Sequence, residues 1–225
     1  GLVDGSQYAF SLPTTFFEFF QSPDDYNQRW LLGTLSRLLR FVSLIITVFA
    51  SAFYVAITMF HYEMIPIKLL HTFIESRNKV PFNPFIEALI IESIIELLRE
   101  AGARLPTKIG QTIGIVGGIV IGTAAVEAGF TSNLLIIVVS ISAIASFVVP
   151  HIVMTASLRI TRFLLIIFAA IWGMFGIIIG SLFILIHLNR LKVIDDYYLK
   201  PIVPLYFKQW KDTIVRVPFK YLKKR

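Results

Sequence analysis

The residues able to do chemistry are few, and they sit in apolar surroundings. Glu92, Glu96 and Glu100 recur every four residues in a stretch rich in Ile and Leu, and Glu127 closes an uncharged run that begins at Ile109. Isolated carboxylates in such places attract cations or hold a partner helix; alone they do not form an acid–base pair. Cysteine is absent, which removes disulfides, thiolate metal ligands and cysteine nucleophiles, and the four histidines, His61, His71, His151 and His187, are scattered. The sequence contains no Ser/His/Asp order, phosphate-binding glycine loop or metal-ligand spacing, so it predicts no enzyme, no catalytic residue, no cofactor and no metal.

The sharpest pattern follows Ile109. Gly110, Gly114, Gly118 and Gly122 repeat every four residues, which on a helix places them on one face, where small residues let another helix approach closely. Thr112, Val120, Thr123 and Glu127 fall within about 40° of Val116 on the opposite face. Repeated around an axis, that stripe is a pore lining, with valine rings at Val116 and Val120 as a dewetting constriction and a Glu127 ring as a cation-attracting mouth. Ordinary bundle packing, with Glu127 at a water interface, accounts for the same periodicity.

The elements that must carry these residues are membrane helices. Of 225 residues, 56% are hydrophobic and 16% charged, and the mean hydropathy is +0.75, far from a water-soluble domain. A bilayer core about 30 Å thick needs about 20 apolar residues as helix. Four spans are predicted, over 41–60, 113–129, 134–150 and 163–187. Arg37 and Arg40 precede the first as interface anchors, Thr131, Ser132 and Asn133 turn between the second and third, and Pro150 closes the third. Trp172 falls inside the fourth rather than at an interface. Residues 1–30 hold Asp4, Glu18, Asp24 and Asp25 and show no signal-peptide core, and the chain opens on Gly, as an excised piece would.

Residues 84–101 form a different helix. Asn83 caps it, Pro84 opens it, and Glu92, Glu96, Arg99, Glu100 and Arg104 share one side opposite the Ile and Leu residues. It either lies at the interface with a solvated charged face or inserts with its acidic stripe facing a water-filled vestibule. Glu87, in its first turn, is assigned to helix-end stabilisation. Ten basic and three acidic residues follow from Arg190, so this tail carries the whole net charge of +7; it reads as an anchor to anionic lipid on the cytoplasmic side, not as a nucleic-acid reader. Charge counting does not place the N-terminus, because 13 basic residues stand against 8 whether or not the amphipathic helix crosses. The expected organisation is therefore a linker over 1–36, a transmembrane domain over 37–189 and a basic tail over 190–225. The fold class is an all-α membrane protein of about four transmembrane helices plus one amphipathic, interfacial or re-entrant helix, assembling as a homo-oligomeric ring.

Several blocks together resemble a known family. They are Leu-Pro-Thr-Thr-Phe (12 to 16), Phe-Phe-Gln-Ser-Pro-Asp-Asp-Tyr (19 to 26), Val-Pro-Phe (80 to 82), Phe-Ile-Glu-Ala-Leu (85 to 89) and Leu-Leu-Arg-Glu-Ala-Gly-Ala-Arg-Leu-Pro (97 to 106). Ile-Gly-Gln-Thr-Ile-Gly-Ile-Val-Gly-Gly (109 to 118), Ala-Ser-Phe-Val-Val-Pro (145 to 150) and Trp-Lys-Asp-Thr-Ile-Val-Arg-Val-Pro (210 to 218) complete the set. The chain resembles the A subunit of GerA-type spore germinant receptors of endospore-forming bacteria; the related stage V sporulation AF type shares much of the pattern. The resemblance implies a multi-pass subunit of the spore inner membrane with both ends in the cytoplasm and a preceding cytoplasmic domain missing. It also implies a pentameric ring conducting monovalent cations, beside a transporter-like B subunit that senses germinant and a lipoprotein C subunit. A non-conducting scaffold that only assembles its partners is the alternative. Where the family carries a glycine- and proline-containing link, this chain has Val-Ile-Asp-Asp-Tyr-Tyr (193 to 198), which departs from the pattern at the tail's exit.

Overall fold

The computed structural model describes residues 13–104, 117–118, 120–194, 196–204, 213 and 215–216. Its apolar runs are helices, and each break between them falls where backbone chemistry requires one. Helix α1 is a single turn, Asp24–Asn27. α2 runs Trp30–Phe60, beginning well before the predicted Phe41 because the lead-in already buries Gly33 and Arg37. α3, Ile67–Arg77, has no counterpart among the predicted elements. α4, Pro84–Arg104, opens as expected: the Asn83 side chain accepts from the Phe85 N–H at 3.2 Å, satisfying one of the orphan amides of the first turn.

α5, described over 120–127, ends on Gly129 at φ 72°. The Phe130 N–H donates to Ala125 O (2.8 Å) and the Gly129 N–H to Val126 O (3.0 Å), the paired bonds of a left-handed C-terminal cap that glycine adopts without strain. Ser132 then caps α6, Asn133–Val148, accepting from the Leu135 N–H at 3.3 Å. The turn predicted at 131–133 is therefore real. Val149, pushed into extended geometry by Pro150, ends α6.

α7, Ile152–Arg190, departs most from the prediction of one span over 163–187. Gly173 has φ 61° and ψ −136° inside it. A Cβ placed on Gly180 would lie 2.7 Å from Leu165 Cδ2, and one on Gly176 would collide with Phe168 O. In a straight helix residues 165 and 180 stand about 22 Å apart, so the chain reverses at Gly173. Two legs result, 152–172 and 174–190, about 31 and 25 Å long by helical rise. Trp172 accordingly stands at the tip of a hairpin and not in the middle of a span. Only a glycine passes there: a Cβ at 173 would meet Phe60 Cβ at 3.0 Å and His61 Nε2 at 3.1 Å.

The legs alternate in direction. Rising along α2, Thr47 O accepts from Ser142, Ser51 donates to Glu92 and Tyr54 meets Ser132, so α4 and α6 run antiparallel to α2. The first leg of α7 climbs with α2 and the second returns. α4 touches both ends of α6, Glu87 at Ser132 and Arg99 at Ser146, positions about 21 Å apart on a helix. It therefore stands lengthwise in the bundle. The core joins Val48, Ala52, Val55 and Ala56 of α2 to Ala88, Ile91, Leu135, Val139, Leu165, Ile166 and Ala169. Small residues on α2, fully buried at Ala52 and Ala56, let α7 approach closely. Two helices among the described residues, Trp30–Phe60 and Val153–Arg190, are long and apolar enough to cross a membrane, and α6 is a shorter apolar helix.

At the foot of the bundle the chain's outer segments meet. Phe16–Phe20 form a 3-10 turn, Phe19 packs edge-on against His151, and the Phe16 N–H donates to Tyr198 O at 2.9 Å. Tyr198 follows a small antiparallel pair, β1 Lys192–Val193 and β2 Asp196–Tyr197. Within the segment that departs from the family pattern, Val193 pairs with Asp196 and Ile194 stands at φ 60°, and Tyr198 meets the first residues of the bundle.

Candidate functional site

Three polar centres are stacked inside this apolar bundle. At the upper end, Glu87 accepts from the Ser132 N–H at 2.6 Å and Thr131 Oγ1 at 3.0 Å, and pairs with Arg77 at 3.0 Å. Arg77 also donates to Tyr54 Oη (3.1 Å), which lies 2.8 Å from Ser132 Oγ. Glu87 does stabilise a helix end as expected, but the end is that of α6, whose N-terminal amides favour a carboxylate. α3 exists to supply Arg77 to this cluster, and its Phe73 packs on Tyr54.

The middle centre is a buried ion network. Arg162 of α7 and Glu92 of α4 are both fully buried and 3.0 Å apart. Glu92 accepts from Ser51 Oγ of α2 at 2.5 Å, and Arg162 donates to Ser142 Oγ of α6 at 3.0 Å. Glu96 gathers Arg162 (3.0 Å), Arg159 (2.6 Å) and Arg99 (3.0 Å), while Arg99 reaches Ser146 Oγ at 2.8 Å. Four helices are tied through five charges. The acidic stripe is therefore distributed differently from its expected vestibule: α4 stands with Glu92 and Glu96 toward α7, where arginines occupy them. Of the three, only Glu100 is exposed, at 58% of its side chain, paired with Arg104 at 2.8 Å. Periodicity puts these acids on one face but does not say that Arg159 and Arg162 would fill it.

The lowest centre surrounds Asp25. Arg40 grips its carboxylate with both nitrogens, at 2.6 and 2.9 Å, and Arg37 Nε adds a contact at 3.3 Å. Burial alone would raise the Asp25 pKa; hydrogen bonds from Arg40, from the Ser22 N–H and from Arg37 outweigh it and hold the carboxyl below its ordinary 3.8. The expected interface anchors thus turn inward onto Asp25. Arg216 from the tail completes the site, lying 5.3 Å over the Tyr26 ring and donating to Gln28 O (2.5 Å) and Tyr26 O (3.0 Å). Its Cδ and Asp25 O leave no room for a side chain at Gly33, whose Cβ would come within 3.0 and 2.8 Å of them.

Of the predicted stripe, Val120, Thr123 and Glu127 are exposed on α5, whereas Thr112 and Val116 lie outside the described residues, as do Gly110 and Gly114. A Cβ on Gly118 would meet nothing within 4 Å and one on Gly122 only Ile136, at 3.9 Å; the close approach is at Gly117, 3.0 Å from Leu98. Gly118 and Gly122 instead line, together with Thr123 and Glu127 of the stripe, a mostly apolar cleft between α5 and the α4–α6 pair. Among the described residues no three His, Asp or Glu side chains converge as a metal ion would need.

The sequence is similar to curated spore germination proteins. It is 49% identical over 223 residues to spore germination protein GerQA of Bacillus cereus, covering 99% of this chain and 45% of that protein. Spore germination protein GerIA of Bacillus cereus is 49% identical over 216 residues, 96% of this chain and 32% of that protein. Spore germination protein B1 of Bacillus subtilis (strain 168) is 46% identical over 224 residues, 100% of this chain and 46% of that protein. The chain thus spans less than half the length of these relatives. No solved structure matches it. The family model described as Bacillus/Clostridium GerA spore germination protein matches residues 2–225, and the chain belongs to that family.

Proposed function

We propose that this chain is the membrane part of a germinant-receptor A subunit and that copies of it ring an aqueous path for monovalent cations in the spore inner membrane. One observation carries the reading: Val120, Thr123 and Glu127 share a face of α5 that the chain's own helices leave exposed, in a family of spore germination proteins. In sequence Thr112 and Val116 continue the same helical period; in this reading the valines form the narrowest rings and Glu127 the upper mouth beside the Gly129 turn. Glu100, at the other end of α4, supplies acid at the opposite approach.

The alternating legs bring the start of α2 and the end of α7 to one side, which the basic tail assigns to the cytoplasm. All six legs, α2, α4, α5, α6 and the two of α7, cross in this reading, an even number as the family resemblance requires. A transporter-like B subunit and a lipoprotein C subunit complete the receptor, with germinant sensed in B. Planar-bilayer recording of the purified oligomer tests the proposal. A cation conductance is expected, and Glu127→Gln should lower it several-fold at low ionic strength, with the difference shrinking as salt screens the ring. A silent oligomer, or a conductance indifferent to both Glu127→Gln and Val116→Ala, removes it.

A further inference from the structure

The cleft between α5 and the α4–α6 pair encloses about 1190 Å³, larger than the ~300–1,000 Å³ of a small-molecule site. It is long as well as large. Its walls run from Ile91 to Ala103 on α4 and from Asn133 to Phe147 on α6, about 18 and 21 Å by helical rise. Gly118 and Gly122 keep its α5 side open. The walls are mostly apolar: Ser140 and Thr123 lie along them, Arg99 at the lower end, and Glu127 and Asn133 at the upper.

We infer that this cleft holds a phospholipid with an anionic headgroup, its acyl chain along the cleft and its phosphate at Arg99. The charge balance points the same way as the shape. Arg99, Arg159 and Arg162 face only Glu92 and Glu96 in the buried network, a surplus of one positive charge, and Arg99, which bonds Glu96 and Ser146 and lies over the Phe147 ring, is the member of that network on the cleft wall. Arg104, about a turn beyond, is 79% exposed but paired with Glu100 at 2.8 Å, so the end's surplus charge comes from the buried network. Glu127 repels an anion from the other end, which fixes the lipid's orientation. The Arg99 end is also where the basic tail leaves α7, the side on which anionic headgroups gather.

The inference rests on the membrane reading above, so its test must separate the two. The full chain is reconstituted in phosphatidylcholine vesicles doped with phosphatidylglycerol, and retained lipid is measured by native mass spectrometry after extraction. Wild-type protein is expected to keep phosphatidylglycerol in preference to phosphatidylcholine. Arg99→Gln should weaken that retention about tenfold, the loss of one charged hydrogen bond. Ile137→Trp, which fills the cleft without touching a charge, should abolish it. Co-flotation with the vesicles reads insertion alone: variants that float yet lose the lipid support the site, and a wild-type chain that does not float refutes the membrane reading. Equal retention of both lipids, an Arg99→Gln variant that behaves as wild type, or a Gly122→Cys variant that cross-links to a second copy overturns the lipid assignment.

Discussion

Replacing Arg162 by Met removes the centre of the buried ion network while keeping a long apolar side chain. Glu92 suffers most, because it is fully buried and left with the Ser51 hydroxyl as its hydrogen-bond partner. Glu96 retains Arg159 and Arg99. Removing one partner of a buried pair costs about 3–5 kcal/mol, and a chain of this size loses roughly 2–4 °C of Tm per kcal/mol, so a fall of about 6–20 °C is expected. Glu92→Gln added to Arg162→Met removes the stranded charge while still accepting from Ser51, and the cycle should show a coupling of about 1.5–3 kcal/mol. Thermal unfolding of the purified protein in detergent, followed by circular dichroism, measures both. A shift under about 2 °C for Arg162→Met, or a double variant less stable than Arg162→Met alone, would refute the view that this pair clamps α4 to α7.

Four further outcomes are expected. The folded pKa of Asp25 lies below its ordinary 3.8, so its stabilisation is complete above that pH and drains away as pH falls through the folded value; Tm should drop on acidification below about pH 4, and Asp25→Asn should flatten that part of the curve. Gly173→Ala forces a left-handed conformation costing about 1–2 kcal/mol and drives a Cβ onto Phe60, so a Tm loss of at least 4 °C or so is expected. Gly118→Ala, whose Cβ meets nothing, should stay within about 0.5 kcal/mol of wild type. Glu87→Gln keeps an acceptor for the Ser132 N–H but discards the Arg77 ion pair; a loss of about 1–3 kcal/mol should appear in the same unfolding assay.

Local chemistry was readable where one residue sufficed. Asn83 before Pro84, the Thr-Ser-Asn turn and Pro150 all stop or start helices where the sequence places them, because a cap or a ring constrains its own backbone. The reversal at Gly173 was not readable. Its glycine is one of several in an unbroken apolar run, and what marks it as a bend is the packing of Phe60 and His61 against it, information that lies more than 100 residues upstream. The same limit governs the polar centres. Periodicity groups Glu92, Glu96 and Glu100 on one face, but only tertiary contact says that Arg159 and Arg162 meet two of them and that Arg37 and Arg40 turn to Asp25. α3 was missed because eleven residues with charges at Lys68, Glu75 and Arg77 carry little helical signal.

The stitching at the foot of the bundle has a mechanical consequence. Phe16 is bonded to Tyr198 and Tyr26 is gripped by Arg216, so a displacement arriving along the incoming polypeptide cannot load the first long helix alone. It is shared with the descending arm of the hairpin and with the outgoing segment, as a yoke shares a pull between two shafts.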